Sequence, residues 1–320
     1  MGFYAKKNVL ITGAAGITGQ SAVRRLLREG ASVRAAVYSN RKLEIQHSNL
    51  EIIQADLMNH EECMKAMRDM DICFDFAAFI GGAGGHSKYD NLLDFVRKNT
   101  IMSVNIFDAA VRSKIDRLGF ISSSTIYPDV TYPVKEEEGF NSEPPPSYTG
   151  IAWMKRYCEK IIEHLNDISE TKFGVIRTTA IYGPRDSFND RGHVIPQLIV
   201  KANKKMNPFE VWGDGNQVRD FVYVEDVVDA LMEVTEKKPI ARPYNAATGK
   251  GTNIKELAEM ITDIYGYKPE FKYDCSKPTM IPIRLVDVSR IKNELNWESK
   301  NSLRQGLEKT IRWYNSAADC

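Results

Sequence analysis

The sequence predicts an α/β fold: a doubly wound parallel sheet followed by a smaller C-terminal α/β domain. Three observations carry this prediction. Apolar strand-like runs alternate with helical patterns through the first half, a glycine-rich turn joins the first strand to the first helix, and after Tyr182-Gly183-Pro184 the rhythm breaks into segments punctuated by Pro and Gly. Regular alternation gives each pair of parallel strands the right-handed helical crossover it needs.

The first strand spans residues 8–12 and its helix runs to about residue 29. Strands follow at Ser32–Val37 and Leu50–Ile53, then a helix near 59–69, a strand at Ile72–Phe76, a long helix near 90–113 and a strand at Leu118–Ser122. A helix over 149–166 and a strand at Phe173–Arg177 close this unit, and further helices are expected near 194–205, 225–236, 253–264 and 303–315. The expected division is a first domain over 1–184, with the chain returning to it at about 220–250, and a second built from 185–219 and 251–320. Ligands of open sheets of this kind bind beyond the carboxyl ends of the strands.

Composition excludes several classes of function. Lys and Arg total 43 against 42 Asp and Glu, so no bulk field draws the 320-residue chain to nucleic acid or to an anionic membrane. Cys63, Cys73, Cys158, Cys275 and Cys320 show no CxxC or Cys/His ligand spacing. They read as reduced thiols of a cytoplasmic protein, with no metal site. No apolar run approaches the roughly 20 residues of a membrane span.

The strongest local signal is Gly13-Ala14-Ala15-Gly16-Ile17-Thr18-Gly19, directly after the first strand. Gly13 permits the tight turn, Gly16 lets backbone approach an anion, and Gly19 brings the helix close to the strand. With the free N–H groups and positive end of the helix that opens at Ile17, the loop predicts a bound dinucleotide pyrophosphate.

Taken in order, the motifs resemble those of the extended short-chain dehydrogenase/reductase family, the NAD(P)-dependent nucleotide-sugar epimerases, dehydratases and reductases built on a Rossmann sheet. The marks are the glycine loop, Asp56-Leu57, Ala77-Ala78, Asn99, Ser122-Ser123-Ser124-Thr125-Ile126-Tyr127-Pro128, Tyr182-Gly183-Pro184 and the run from Trp212 to Phe221. The resemblance implies that Asp56 accepts from the adenine amino group while Leu57 packs on the ring. It places Ala77, Ala78 and Asn99 at the cofactor as well. It also implies that Arg219 and Arg284 clamp the substrate diphosphate, a task suited to a planar guanidinium, with Trp212, Ser124 and Thr125 beside the substrate. Arg41 and Lys42 stand where an acid would hold the NAD ribose, which favours NADP over NAD.

Family members carry Tyr-x-x-x-Lys on a helix, the lysine binding the nicotinamide ribose and the tyrosine moving a proton. Lys155 matches the lysine, but Ile151 occupies the tyrosine's place. An isoleucine transfers no proton. Tyr148, seven residues before Lys155, returns to nearly the same helical face one turn farther out, and a different approach angle after Pro146 would bring it to the site. Ser123 matches the residue that hydrogen-bonds the reacting hydroxyl. His193, in Gly192-His193-Val194-Ile195-Pro196, matches the histidine that GDP-L-fucose synthases use as an acid.

Ser124 and Thr125 replace the acid pair of the dehydratases, and Thr125 is too weak an acid to copy a catalytic thiol. Ala180 replaces an asparagine that contacts substrate. Gly81 and Gly82 resemble a double glycine that lets backbone approach the sugar, and with the His193 and Trp212 runs they tilt the nucleotide toward GDP. The combined expectation is a homodimeric dehydrogenase or 4-ketoreductase that transfers hydride at C4 of a nucleotide-diphosphate sugar. Its alternatives are a C4 epimerase, or epimerase/reductase, and a catalytically disabled dinucleotide-binding regulator.

Overall fold

The computed structural model describes residues 2–38, 43–79, 89–189 and 192–318. The first half follows the predicted alternation: β1 (Asn8–Thr12), α1 (Ile17–Arg28), β2 (Ser32–Val37), β3 (Leu50–Gln54), α2 (His60–Met67), β4 (Ile72–Asp75), α3 (Tyr89–Arg112) and β5 (Arg117–Ser123). Then come α4 (Thr149–Ile168), β6 (Lys172–Thr178), β7 (Ala180–Tyr182), α5 (Val194–Asn203), β8 (Phe209–Trp212), β9 (Val218–Arg219) and β10 (Phe221–Tyr223). The chain ends with α6 (Val224–Lys237), β11 (Pro243–Ala246), β12 (Thr252–Asn253), α7 (Ile254–Ile264), β13 (Phe271–Asp274), β14 (Ile283–Arg284), α8 (Ser289–Leu295) and α9 (Leu303–Ala318).

Seven strands form one sheet in the order β11-β6-β5-β4-β1-β2-β3, every neighbouring pair parallel. The order reverses at β1 and β4, and their carboxyl ends carry the glycine loop and Asp75. Both faces of the sheet are covered, so residues 9–11 of β1 and 72–74 of β4 read as unbroken apolar runs rather than alternating ones. Ala22, Val23 and Leu26 of α1 pack with Val227, Val228 and Leu231 of α6 and Ile291 of α8 on one face. Cys63 and Met67 of α2, Phe107 of α3 and Cys158 and Ile162 of α4 cover the other. A separate apolar cluster joins α5, α7, α9, β8 and β10 through Leu198, Leu257, Leu307, Phe209 and Phe221.

The structure adds elements that the sequence pattern did not separate. The short strands from β7 to β14 and helix α8 were not predicted. They form by tertiary pairing, as in β9, which lies between β12 and β14. β11 opens on Pro243 at the sheet edge, where a missing N–H costs no ladder bond.

A buried polar network ties β5, α4, β6 and β11 together beneath the strand ends. Arg177 meets the Glu159 carboxylate twice, Nε to Oε1 at 3.0 Å and Nη2 to Oε2 at 2.7 Å. Ser122 also donates to Glu159, while Arg177 donates to the Tyr127 hydroxyl at 2.9 Å and to the Glu136 carbonyl at 2.7 Å. Tyr127 in turn donates to Asn245 of β11 at 2.5 Å.

Candidate active site

Two glycines make the cradle at the end of β1. Gly13 has φ +59°, and a Cβ there would sit 2.7 Å from the Phe76 carbonyl oxygen and 2.8 Å from Ala77 Cα. A Cβ on Gly19 would stand 2.7 Å from Ala14 Cα, so only glycine lets α1 lie this close to the loop. Gly16 caps α1 without a side-chain hydrogen bond, and the first turn holds no acid. The free N–H groups and the positive helix end therefore suit a pyrophosphate. Gly19→Ala is expected to remove the stabilisation that NADPH or NADH confers in a thermal-shift measurement and to cost about 1–3 kcal/mol of fold stability through overpacking.

Lys155 projects from α4 toward the carboxyl ends of the central strands. Its Nζ donates to the Ile121 carbonyl oxygen at 2.7 Å and lies 4.4 Å from the centre of the Phe120 ring. Burial holds its pKa below the ordinary lysine value, against the opposing pull of Cys158, Asp75 and Glu159. Ser123 ends β5 nearby in sequence. Its Oγ accepts from the Thr125 N–H at 3.1 Å and from the Thr125 hydroxyl at 2.9 Å, capping the short 3-10 helix Ser124–Ile126. Ser123 is itself half-buried.

Ile151 packs with the apolar cluster beneath α3 and α4. A 3-10 turn, Pro146–Tyr148, precedes α4, and the tyrosine caps that helix with φ −116° and ψ 0°. Its hydroxyl comes within hydrogen-bonding reach of Arg219, and its field also reaches Arg284. Among the described residues no hydrogen bond joins it to Lys155 or Ser123.

Arg219 and Arg284 are register partners on β9 and β14. Backbone carbonyls orient both: Arg219 donates to Val218 at 2.8 Å and Ile281 at 2.7 Å, and Arg284 to Pro128 at 2.9 Å and Tyr127 at 3.2 Å. Arg284 is 5% exposed, and its buried Nε has no partner. Burial, helped by the adjacent Arg219 and opposed by Tyr148 and Asp129, pushes its pKa down to about 10. Both guanidiniums remain cationic at neutral pH. Neither forms an ion pair among the described residues, so the pair is suited to an incoming anion.

The remaining predicted residues divide into several roles. Among the described residues the Asp56 carboxylate accepts the Met58 N–H alone, at 3.0 Å, and Asn59 takes over the capping of α2. Leu57 is buried in the core under α2 and α3. Ala77 abuts Gly13, and Ala78 follows it exposed at the strand end. The Asn99 amide is taken up by backbone: it accepts from Phe79 N–H at 2.9 Å and donates to the carbonyls of Phe79 at 3.2 Å and Phe95 at 2.8 Å. It thereby shapes the wall after β4.

His193 caps α5 and retains an exposed surface, yet desolvation by its neighbours holds its pKa below the usual 6.5. No hydrogen bond ties it to Ser123, Tyr148 or Lys155 among the described residues. Trp212 is exposed at the end of β8, with Lys277 5.7 Å from its ring centre. Ser124 is buried and Thr125 half-buried beside Ser123. Arg41, Lys42, Gly81 and Gly82 lie outside the described residues.

Two acids escaped the sequence reading. Asp75, at the end of β4, is 5% exposed and accepts from Thr12 Oγ1 at 2.5 Å. Asp220 is fully buried and accepts from the Thr248 hydroxyl at 2.6 Å and the Gly249 N–H at 2.7 Å, pinning this loop beside Arg219. The signal for Asp75 was a carboxylate inside the apolar strand Ile72-Cys73-Phe74-Asp75-Phe76.

Known proteins share the whole layout. The chain is 30% identical to the GDP-L-fucose synthase of Escherichia coli K12, and 28% identical to a dTDP-4-dehydro-6-deoxy-D-allose reductase of a Streptomyces species. Each comparison covers 97% of both sequences. The UDP-N-acetylglucosamine 4-epimerase of Methanobrevibacter ruminantium M1, solved with UDP-N-acetylmuramic acid, superposes with a TM-score of 0.87 at 28% identity over 98% of this chain and 99% of that one. Residues 9–247 match the NAD dependent epimerase/dehydratase family across the glycine cradle, Lys155 and Arg219. The chain belongs to the NAD dependent epimerase/dehydratase family.

Proposed function

We propose that the protein is an NAD(P)-dependent oxidoreductase that transfers hydride at C4 of a nucleotide-diphosphate sugar, GDP-linked, as a dehydrogenase or 4-ketoreductase. The observation that carries this reading is the adjacent pair Arg219 and Arg284, both held by backbone carbonyls and without an acidic partner among the described residues. Relatives named for GDP- and dTDP-sugar chemistry support the substrate class. GDP is chosen for the motifs around His193 and Trp212. NADP is chosen over NAD for Arg41 and Lys42. The segments 185–219 and 251–320 form the sugar-nucleotide lobe, and the protein acts in the cytoplasm as a homodimer through α3 and α4, where Leu93, Trp153 and Tyr157 stay exposed.

In this reading Gly13, Gly16 and Gly19 hold the pyrophosphate, Asp56 the adenine end and Lys155 the nicotinamide ribose. A nicotinamide held there would supply the hydride exchange at the sugar carbon. Ser123 hydrogen-bonds the sugar oxygen, and His193, whose pKa desolvation holds below the usual 6.5, takes the hydroxyl proton in the oxidising direction. Since a lowered pKa keeps the imidazole neutral into mildly acidic solution, the acid limb of kcat/KM should fall below 6.5 in wild type and disappear in His193→Ala. An acid limb unchanged in the variant removes His193 from the proton path. Tyr148 serves the phosphates, so Tyr148→Phe should raise KM several-fold with kcat nearly unchanged.

Ile151 favours a second reading, a cofactor-binding protein without turnover, because it stands four residues before Lys155 and no phenol is hydrogen-bonded to Lys155 among the described residues. Incubation with GDP-, UDP-, CDP- and dTDP-sugars decides between the two. Absorbance of the reduced nicotinamide, mass spectrometry and NMR of the products would reveal oxidation, reduction or epimerisation. Tight sugar-nucleotide binding without any product selects the second reading.

A further inference from the structure

We propose that Asp75 is the counter-ion of Lys155, a positioning residue that keeps the lysine an ammonium at the nicotinamide end of the cradle. The proposal rests on the cofactor reading above, but its physical basis lies in the protein alone. Thr12, Asp75 and Phe120 form one row across the sheet, with Thr12 the register partner of Asp75 on β1 and Phe120 its partner on β5. The Lys155 ammonium lies 4.4 Å from the centre of that same Phe120 ring and donates to the next residue's carbonyl, Ile121, at 2.7 Å. The row thus carries a carboxylate on β4 and, over its neighbouring strand, the cation.

Thr12 identifies the carboxylate as an acceptor. Its Oγ1 accepts the N–H of Phe76 at 3.1 Å and shares the single N–H of Ala77, at 3.2 Å, with Asp75. Its hydrogen is therefore directed to Asp75 Oδ1, at 2.5 Å, which also accepts from Ala77 N–H at 3.3 Å. At 5% exposure burial raises the Asp75 pKa, and the Thr12 hydroxyl, the Lys155 charge and the Ala77 N–H oppose that rise, Lys155 being the cation among the described residues whose field reaches it.

The other groups facing this pair do not supply the charge. On α4, Cys158 stays a neutral thiol because burial raises its pKa, and Glu159 is engaged by Arg177 and Ser122. Toward Asp75, Cys63 of α2 and Cys73 of β4 are likewise held neutral by burial. Desolvation favours the uncharged amine at Lys155, and Asp75 opposes it. With Ile151 in place of a phenol, the charge on Lys155 is what remains at this position to bind ribose hydroxyls and to stabilise a developing alkoxide.

The test is side-chain nitrogen NMR of isotope-labelled lysine in the full chain without cofactor, with the Lys155 signal assigned by its absence in Lys155→Met. In Asp75→Asn the Lys155 pKa should fall by about one unit or more, and NADPH affinity should decline at a lower pH than in wild type. A Lys155 pKa unchanged in Asp75→Asn overturns the proposal. Should that variant not fold, the Asp75 carboxyl is titrated by carbon NMR in Lys155→Met. A rise in its pKa supports the pairing, and no change overturns it. Failure of wild type to bind either NADPH or NADH counts against the cofactor reading instead, and leaves the lysine shift to be judged by itself.

Discussion

Arg284→Met should weaken binding of a GDP-sugar by about two orders of magnitude in calorimetric titration, since charge-assisted bonds to phosphate are worth roughly 1.5–3 kcal/mol each. Arg219→Met should do nearly the same. The reason is their arrangement: adjacent strands hold both guanidiniums by main-chain carbonyls, so little side-chain freedom is lost when an anion arrives. The two effects should be less than additive, because removing one cation relieves the repulsion felt by the other. Affinity within about threefold of wild type in both variants would move the diphosphate elsewhere. Arg284→Lys is expected to recover only part of the loss, as a point charge cannot reproduce the planar fork.

Glu159→Ala should destabilise the fold by about 3–5 kcal/mol, because it strands the Arg177 cation in the interior. Arg177 is 1% exposed and meets Glu159 through two nitrogens. The vacated site also frees Ser122 and loosens the link through Tyr127 to Asn245 on β11. Urea unfolding followed by tryptophan fluorescence measures the effect. Joint replacement of Glu159 and Arg177 by apolar residues should cost less than Glu159→Ala alone, since no unpaired charge remains. A loss below about 1 kcal/mol in Glu159→Ala would show that water or a neighbouring group satisfies Arg177.

Much of the sheet was legible because its strands are continuous apolar runs bounded by turns, and β1, β2, β4 and β5 lie where that pattern places them. The strands of the second half were not. β9, β12 and β14 have two residues each, too few for a period of two to register, and they exist because Arg219, Thr252 and Arg284 meet across the chain. The glycine loop was legible since Gly13 and Gly19 answer steric demands of the strand-to-helix turn.

Tyr148 was harder to place. Counting seven residues back from Lys155 fixes a face only along a continuous helix, and the 3-10 turn at Pro146–Tyr148, the altered entry expected after Pro146, breaks that phase and sets the hydroxyl where its field reaches Arg219. Asp75 was passed over because its neighbours assign the segment to the core, and only the sheet register sets it beside Phe120 and the Lys155 ammonium.

The most direct test of the central claim is a single-turnover experiment with the purified protein, NADPH and a GDP-4-keto-sugar, followed by absorbance and product NMR. Wild type should consume reduced cofactor in step with formation of the C4 alcohol, with Lys155→Met at least about a hundredfold slower. Cofactor and sugar nucleotide that both bind while neither changes, across the GDP, UDP, CDP and dTDP series, would contradict catalysis and leave a binding protein.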